Sequence, residues 1–403
     1  MYAKERTAVI SLAVIMAFRM LGSFMLFPVL SLYTNRIPYA TPTLVGLALG
    51  IYGLLQACFQ IPFGSISDRI GRKPVIAMGL VFLGVGSVLS VLSRSIYGII
   101  VGRFLQGAGA IGSTVLAMVS DSTRDEDRSK AMALVGVVVG CAFVVAFTVG
   151  PIINAWFCLK GIFYTTAIFA TLGIILLYTV VPSSFVSFRT SSSSVSGSPE
   201  KAKGAGKTSL KKLICNSELL RLDFGVFSLH CILTAMFIGI PIVLSQIVNL
   251  TEHEQVFLYL VILLFAFSVS MPVIVLSERR HQIKSIVVGS IVLMTICQFL
   301  LMVFYRSTIE ISIILFLFFA AFTLLEAVLP SLVSKTAPVC QKGTALGMYS
   351  SAQFLGIFLG GSAGGWIFNR HQWIGVLVFC AIVSLLWLIL VLLPCKKAFA
   401  FLQ

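Results

Sequence analysis

The chain has 403 residues, of which 58% are hydrophobic and only 11% charged. A soluble protein of this length carries about twice that charged fraction, so an ordinary water-soluble domain is excluded. The net charge of +15 could suggest a nucleic-acid partner, but the placement of its cations, set out below, excludes that reading.

Apolar runs of about twenty residues recur along the chain, each long enough to cross a bilayer as a helix. In hydrocarbon every backbone N–H and C=O must bond within its own segment, and these runs lack the alternation of a barrel strand. Twelve spans are predicted. The first three cover 8–34, 42–63 and 74–93, and the charged stretch GSISDRIGRKP (64–74) joins the second to the third. Spans 4, 5 and 6 cover 96–119, 130–155 and 161–181. Residues 183–212 are rich in Ser, Gly and Lys and cannot bury a core, which reads as a flexible linker. Spans 7 to 12 follow at 220–248, 254–276, 284–304, 309–333, 342–367 and 372–394.

Six spans therefore stand on each side of the linker, and the two sets look related. A shift of 210 lays Pro62, Asp68 and Arg69 over Pro272, Glu278 and Arg279. A shift of 213 lays Pro28 over Pro241, and one of 214 lays Gly150 over Gly364. The expected architecture is an all-α polytopic membrane protein of two pseudo-symmetric six-helix bundles, 1–182 and 219–403, joined by a cytoplasmic linker at 183–218. Helix-breaking prolines at matched positions of spans 1 and 7 suit a transporter whose midplane site lies between repeats.

Of the 29 Lys and Arg, 22 fall on the side that holds the termini, the linker and the 64–73 stretch. Only Arg36, Arg94, Lys160, Arg306 and Arg370 fall on the other. That bias places both termini in the cytoplasm and reports topology, so no nucleic-acid partner is expected. The nine cysteines are scattered, with no metal-type spacing and no expected disulfide. No cofactor or metal is expected, and no phosphate-binding loop offers a way for ATP to drive the protein directly.

Ionisable side chains within spans are costly and are functional candidates by default. Arg19 lies midway in span 1 and Arg103 in span 4. Glu326, in span 10, reads as the one carboxylate deep within a span and suits the loading and release of a proton, either alone or paired with Arg19 or Arg103. His230 in span 7 is a second group able to carry a proton. Tyr52, Gln56 and Gln60 form an i, i+4, i+8 stripe on span 2, and Tyr349 with Gln353 does so on span 11. Thr323 shares a face with Glu326. Contact with a substrate and hydrogen bonding between helices are both open for these neutral groups.

The stretch Gly64-x-Ile66-x-Asp68-Arg69-x-Gly71-Arg72-Lys73 resembles the loop 2–3 signature of the major facilitator superfamily. GRFLQGAGA, with Arg103, Gln106, Gly107 and Gly109, resembles that family's span-4 motif, whose residues are tied to proton coupling. Gly150-Pro151 resembles the core of its span-5 antiporter motif, although Ala146 stands where that motif begins with glycine. FRMLGSFMLFPVL at 18, LLEAVLPSLVSK at 324 and the run from Gly343 to Trp366 look nearest to YajR-like bacterial members, which resemble drug–proton antiporters.

The resemblance implies two halves that rock about a central site, with a latch on the cytoplasmic face. Asp68 is then expected to face the start of span 11 near Gly343 and Thr344, and Arg72 or Arg69 to meet Asp121. Gly64 is expected to let spans 2 and 11 approach closely. Antiporters for cationic drugs in this superfamily commonly carry an acid in span 1 or span 4, where this chain has Arg19 and Arg103. The expected function is proton-coupled export of a small, not strongly cationic organic molecule, by a monomer in the bacterial inner membrane. Import of a sugar or other metabolite is the alternative, and a transport-inactive receptor is a third. An enzyme is not expected.

Overall fold

The computed structural model describes residues 2–124, 126–181, 216–279, 282–338 and 341–393. The linker at 183–215 therefore lies outside the described residues. Helix begins again at Ser217, where the Asn216 side chain accepts the Glu218 N–H at 3.0 Å, one residue before the linker's expected end at 218.

All twelve spans are present as helix. Span 1 is Ala3–Phe24, broken at Met25 and Leu26 and resumed as Phe27–Leu30. Span 2 is Pro42–Ile70, opened by Thr41, whose hydroxyl accepts the Leu44 N–H at 3.2 Å. Span 3, Arg72–Leu92, follows after one residue, Gly71, at φ 100°. Only glycine takes that backbone conformation without strain, which accounts for a glycine at this point of the charged stretch.

Span 4 is discontinuous. Its first part, Ile96–Ala108, ends at the glycine-rich QGAGA run, and its second, Gly112–Asp121, starts afresh. Glycine is a poor helix former, and here the Gly109 backbone packs against the Gly79 carbonyl of span 3. Spans 5 and 6 form one run, Arg128–Thr179, turned by a single residue, Cys158 at φ 55°. Span 7 is Ser217–Gln246, span 8 Glu252–Arg279, span 9 Ile283–Val303 and span 10 Thr308–Thr336. Spans 11 and 12 form the run Lys342–Leu392, turned at Gln372 with φ 55°.

The backbone repeats the pattern of the sequence. Among the described residues, the non-glycine residues with positive φ are Tyr39, Cys158, Asn249 and Gln372. Tyr39 and Asn249 stand 210 residues apart, and Cys158 and Gln372 stand 214 apart, the same offsets that align the sequence. Matched turns thus join spans 1 to 2 and 7 to 8, and spans 5 to 6 and 11 to 12.

Spans 2 and 11 cross the middle of the molecule antiparallel, and their separation changes along their length. At the end away from the charged stretch they touch backbone to backbone. A Cβ on Gly361 would lie 2.6 Å from the Gly46 carbonyl and 2.9 Å from the Gly50 nitrogen. At the end that holds the charged stretch, a Cβ on Gly64 would lie 3.4 Å from the Ser113 hydroxyl of span 4, and a Cβ on Gly343 or Gly347 would meet no neighbouring element within 4 Å among the described residues. Gly64 therefore does not bring spans 2 and 11 together, contrary to what the resemblance implies, and the approach belongs to Gly46 and Gly361. The molecule is closed at one end and parted at the other.

Candidate transport site and gates

Arg19 is 1% exposed and turns toward span 2. Its Nη1 donates to the Tyr52 hydroxyl at 3.3 Å and to Gln56 Oε1 at 3.0 Å, while its guanidinium lies 5.8 Å from the Phe354 ring of span 11. Gln56 in turn donates to the Gly109 carbonyl at 3.3 Å, within the break of span 4. Gln60, one turn further on, is 2% exposed and stands beside Gly112. The stripe on span 2 thus converges on Arg19 and on the broken segment.

Arg103 is fully buried. Its Nε donates to the Ala48 carbonyl at 3.2 Å and its Nη1 to Gln106 Oε1 at 2.9 Å, and it stacks 4.5 Å from the Tyr52 ring. Gln106 continues to Ser87 at 2.8 Å. These contacts tie spans 2, 3 and 4 together as a brace, and the aromatic face spreads the cation's field where water is absent.

Glu326 meets neither arginine. Its Oε2 lies 3.7 Å from His230 Nε2, across from span 7 of its own set of six. His230 is fully buried, its Nδ1 is 3.2 Å from the Val226 carbonyl, and its Nε2 is 2.7 Å from Gln353 Nε2. The carbonyl can only accept, so Nδ1 is assigned the proton; Nε2 of a neutral ring then accepts from the Gln353 amide. Tyr349 is buried one turn away from Gln353. Thr323 does not join this group: its hydroxyl pairs with Ser270 of span 8 at 2.6 Å and with the Phe319 carbonyl. The sequence could not tell these cases apart, because a threonine in a helix usually satisfies its hydroxyl on the preceding turn.

Gln353 and Phe354 stand side by side on span 11, one bonded to His230 and the other facing Arg19. The two ionisable centres therefore flank one point of span 11. Aromatic pairs close the space across the two sets of spans: Phe143 with Phe322 at 5.5 Å, and Phe147 with Phe237 at 4.7 Å between ring centres.

At the closed end, Glu252 of span 8 bridges the two sets of spans. Its Oε1 accepts from Arg36 at 3.0 Å and its Oε2 from Asn154 Nδ2 at 3.0 Å. Asn154 Oδ1 accepts from the Tyr33 hydroxyl at 2.8 Å, and that hydroxyl accepts the Leu159 N–H at 3.2 Å. Ser31 adds a bond to the Phe237 carbonyl at 3.0 Å. The partners in this clamp stand 98 to 216 positions apart, and no spacing in the sequence signals it.

A family model described as the Major Facilitator Superfamily matches residues 12–289 and 222–400. The inner membrane transport protein YajR of Escherichia coli K12 is 42% identical over 385 residues, 95% of this chain and 82% of that protein. The chain belongs to the major facilitator superfamily. A class D tetracycline resistance protein from Salmonella ordonez is 30% identical over 149 residues, 36% of this chain and 38% of its own. A solved D-xylose–proton symporter superposes with a TM-score of 0.74 at 17% identity, covering 99% of both chains. Major facilitator proteins are carriers, so this chain is a multi-pass secondary transporter of the bacterial inner membrane rather than an enzyme.

The major facilitator signature at 64–73 can be followed residue by residue. Arg72 Nε binds Asp121 Oδ2 at 3.1 Å, and its Nη1 binds Asp68 Oδ1 at 2.6 Å and the Ser67 hydroxyl at 2.5 Å. Lys73 Nζ donates to the Val181 carbonyl at the end of span 6. Asp68 does not face the start of span 11: its side chain is 64% exposed and pairs with Arg72. Spans 2 and 11 stand apart at this end, so the helix start that would receive the carboxylate is out of reach. Arg69 lies in the last turn of span 2, ahead of the Gly71 turn.

In span 5, Gly150 lies against the backbone of Met25, where a Cβ would stand 2.8 Å from the Met25 Cα. Gly150-Pro151 therefore lets span 5 close onto the break in span 1. Two features escaped the sequence. Asp223, near the start of span 7, is 8% exposed, and its Oδ1 has no hydrogen-bond partner among the described residues, whereas Glu326, deeper in its span, keeps 30% of its side chain exposed. The discontinuity of span 4 falls at the glycine-rich QGAGA stretch, inside the single span expected at 96–119.

Proposed function

We propose that this protein is a proton-coupled carrier that works by alternating access and exports a small organic molecule that is not strongly cationic. The observation that carries the reading is the Glu326–His230 pair at 3.7 Å, whose His230 ring is bonded to Gln353. Coupling needs a group whose affinity for a proton changes between the two facing states. When His230 Nε2 is unprotonated it accepts from the Gln353 amide. A proton on Nε2 makes it a donor, and Gln353 must then present its oxygen instead. That reversal is felt on span 11, next to Phe354 and hence next to Arg19. The route replaces the one first expected, in which rocking of the halves joins Glu326 to an arginine.

With the basic end in the cytoplasm, the structure corresponds to an inward-open state: the clamp at Glu252 is made, and the signature stretch stands away from span 11. Two six-helix halves at 1–182 and 219–403 would rock about the aromatic contacts. Export is supported by Gly150-Pro151 on span 5 and by the kinship with a tetracycline resistance protein. The two central arginines, without a carboxylate beside them, disfavour strongly cationic cargo.

The test is Glu326→Gln in proteoliposomes loaded for counterflow across a diverse substrate panel. Exchange should persist while accumulation driven by a pH gradient disappears. A Glu326→Gln protein that still concentrates substrate with normal pH dependence would refute the assignment.

A further inference from the structure

The break in span 4 lies against a guanidinium that is only half used. Arg19 spends Nη1 on Tyr52 and Gln56. Its Nε has no hydrogen-bond partner among the described residues, and its Nη2 touches only the Met20 sulfur at 4.0 Å. Nε–H and Nη2–H leave the guanidinium plane's edge in the same direction. They form a two-donor fork that matches the two oxygens of a carboxylate.

What lies next to that fork is the start of a helix. A Cβ on Gly112 would stand 3.5 Å from Arg19 Nη2 and 2.8 Å from Gln60 Nε2, so the glycine leaves the fork uncovered. The helix Gly112–Asp121 is ten residues long, and its first amides have no intrahelical acceptors. Its positive end adds to the field of Arg19, as half-helix ends do at the midplane sites of other transporters. Thr114, fully buried on the first turn, has a hydroxyl with no partner among the described residues. No carboxylate among the described residues pairs with Arg19, and the Glu326 carboxylate is beside His230. A buried cation without a counter-charge is strongly disfavoured, so an anion is expected at this point.

We propose that Arg19 and the start of the second part of span 4 form an oxyanion-binding pole of the transport site, and that the cargo is an organic carboxylate. The inference rests on the carrier reading above and deepens it. It does not depend on the Glu326–His230 pair as the proton site.

The experiment uses the full chain in lipid nanodiscs and follows thermal unfolding with matched probes: lactate and lactamide, benzoate and benzamide, salicylate and salicylamide. At least one carboxylate should raise the midpoint while its amide does not. Arg19→Lys keeps the charge but loses the fork and should weaken that carboxylate about tenfold or more. Arg19→Gln should abolish the shift. Should the Arg19 variants fail to fold, Gly112→Ala decides: it fills the gap at the cost of moving a flexible Gln60 side chain, and must weaken the same carboxylate. Equal shifts from acid and amide, a shift from chloride alone, or unchanged affinity in Gly112→Ala would overturn the pole. Carboxylate binding that survives in Glu326→Gln while pH-driven uptake is lost leaves both readings standing. Pump activity toward neutral cargo that ignores Arg19 removes only the pole.

Discussion

Arg103 and Arg19 are both arginines in hydrocarbon, and their neighbours give them different roles. Arg103 has the Ala48 carbonyl on Nε, Gln106 on Nη1 and the Tyr52 face, which leaves only Nη2 without a hydrogen-bond partner among the described residues and joins three helices. Arg19 has the same aromatic and amide company on one side and an unused fork on the other. A sequence shows only that each is a cation in an apolar run; which donors are spent is a property of the neighbours. Asp68 makes the same point at the membrane edge. Its ion pair with Arg72 is exposed, and exposed pairs contribute about 0–1 kcal/mol, so it does little for this state. Its proposed work lies in the opposite state, where span 2 would reach the start of span 11. Asp68→Asn should therefore leave expression and thermal stability near wild type while cutting flux severely. Normal flux from a well-expressed Asp68→Asn protein would remove the latch role.

Helices were the most legible feature, because an unbroken apolar run of spanning length has few other solutions in a bilayer. The joints were less so. The sequence predicts short loops between spans 5 and 6 and between spans 11 and 12, whereas a single residue turns the chain in each, at Cys158 and Gln372. Neither residue is a turn-former by type; the polar run Asn369, Arg370, His371 and Gln372 marks the second joint, but nothing in it shows that a single residue makes the turn. Span 11 is legible in part: its many glycines announce close packing, but not on which neighbour. The structure divides them. Gly356 and Gly360 lie on the span 7 backbone at Phe227 and Cys231, and Gly361 and Gly365 on span 2. Gly361→Ala brings a methyl to 2.6 Å from the Gly46 carbonyl, and backbone cannot yield as a side chain can. Spans 2 and 11 should part at this end, raising the reactivity of cysteines placed there in a cysteine-free background. Unchanged labelling would show that the contact is not what holds this end shut.

Across the whole molecule, the described contacts divide by end. Where the charged stretch lies, Arg72, Asp121, Lys73 and Val181 bind within the first six spans, and Arg124 binds Glu5 in the same set. At the opposite end Glu252 reaches across to Arg36 and Asn154. In the proposed alternating-access cycle, the second kind of contact must break as the end that holds the charged stretch closes. Its strength must therefore be modest. Arg36 is 61% and Glu252 33% exposed, so their ion pair is screened and contributes at most about 1 kcal/mol. The more sheltered bond to Asn154 adds a comparable amount. Together they bias the equilibrium by about 2 kcal/mol at most, up to roughly thirtyfold, enough to favour one state without trapping it. Glu252→Gln keeps the shape and can still accept from one partner, but loses the charge. It should shift the population toward the state open on this side by a few-fold, read as faster labelling of Ser31→Cys and as a changed ratio of exchange to net transport. Arg36→Glu, which sets two carboxylates against each other, should shift it further in the same direction. Adding Glu252→Arg to Arg36→Glu restores opposite charges and should return labelling toward the wild-type rate. If the single and double variants label alike, the two charges do not meet during the cycle and the clamp is an ornament of one conformer.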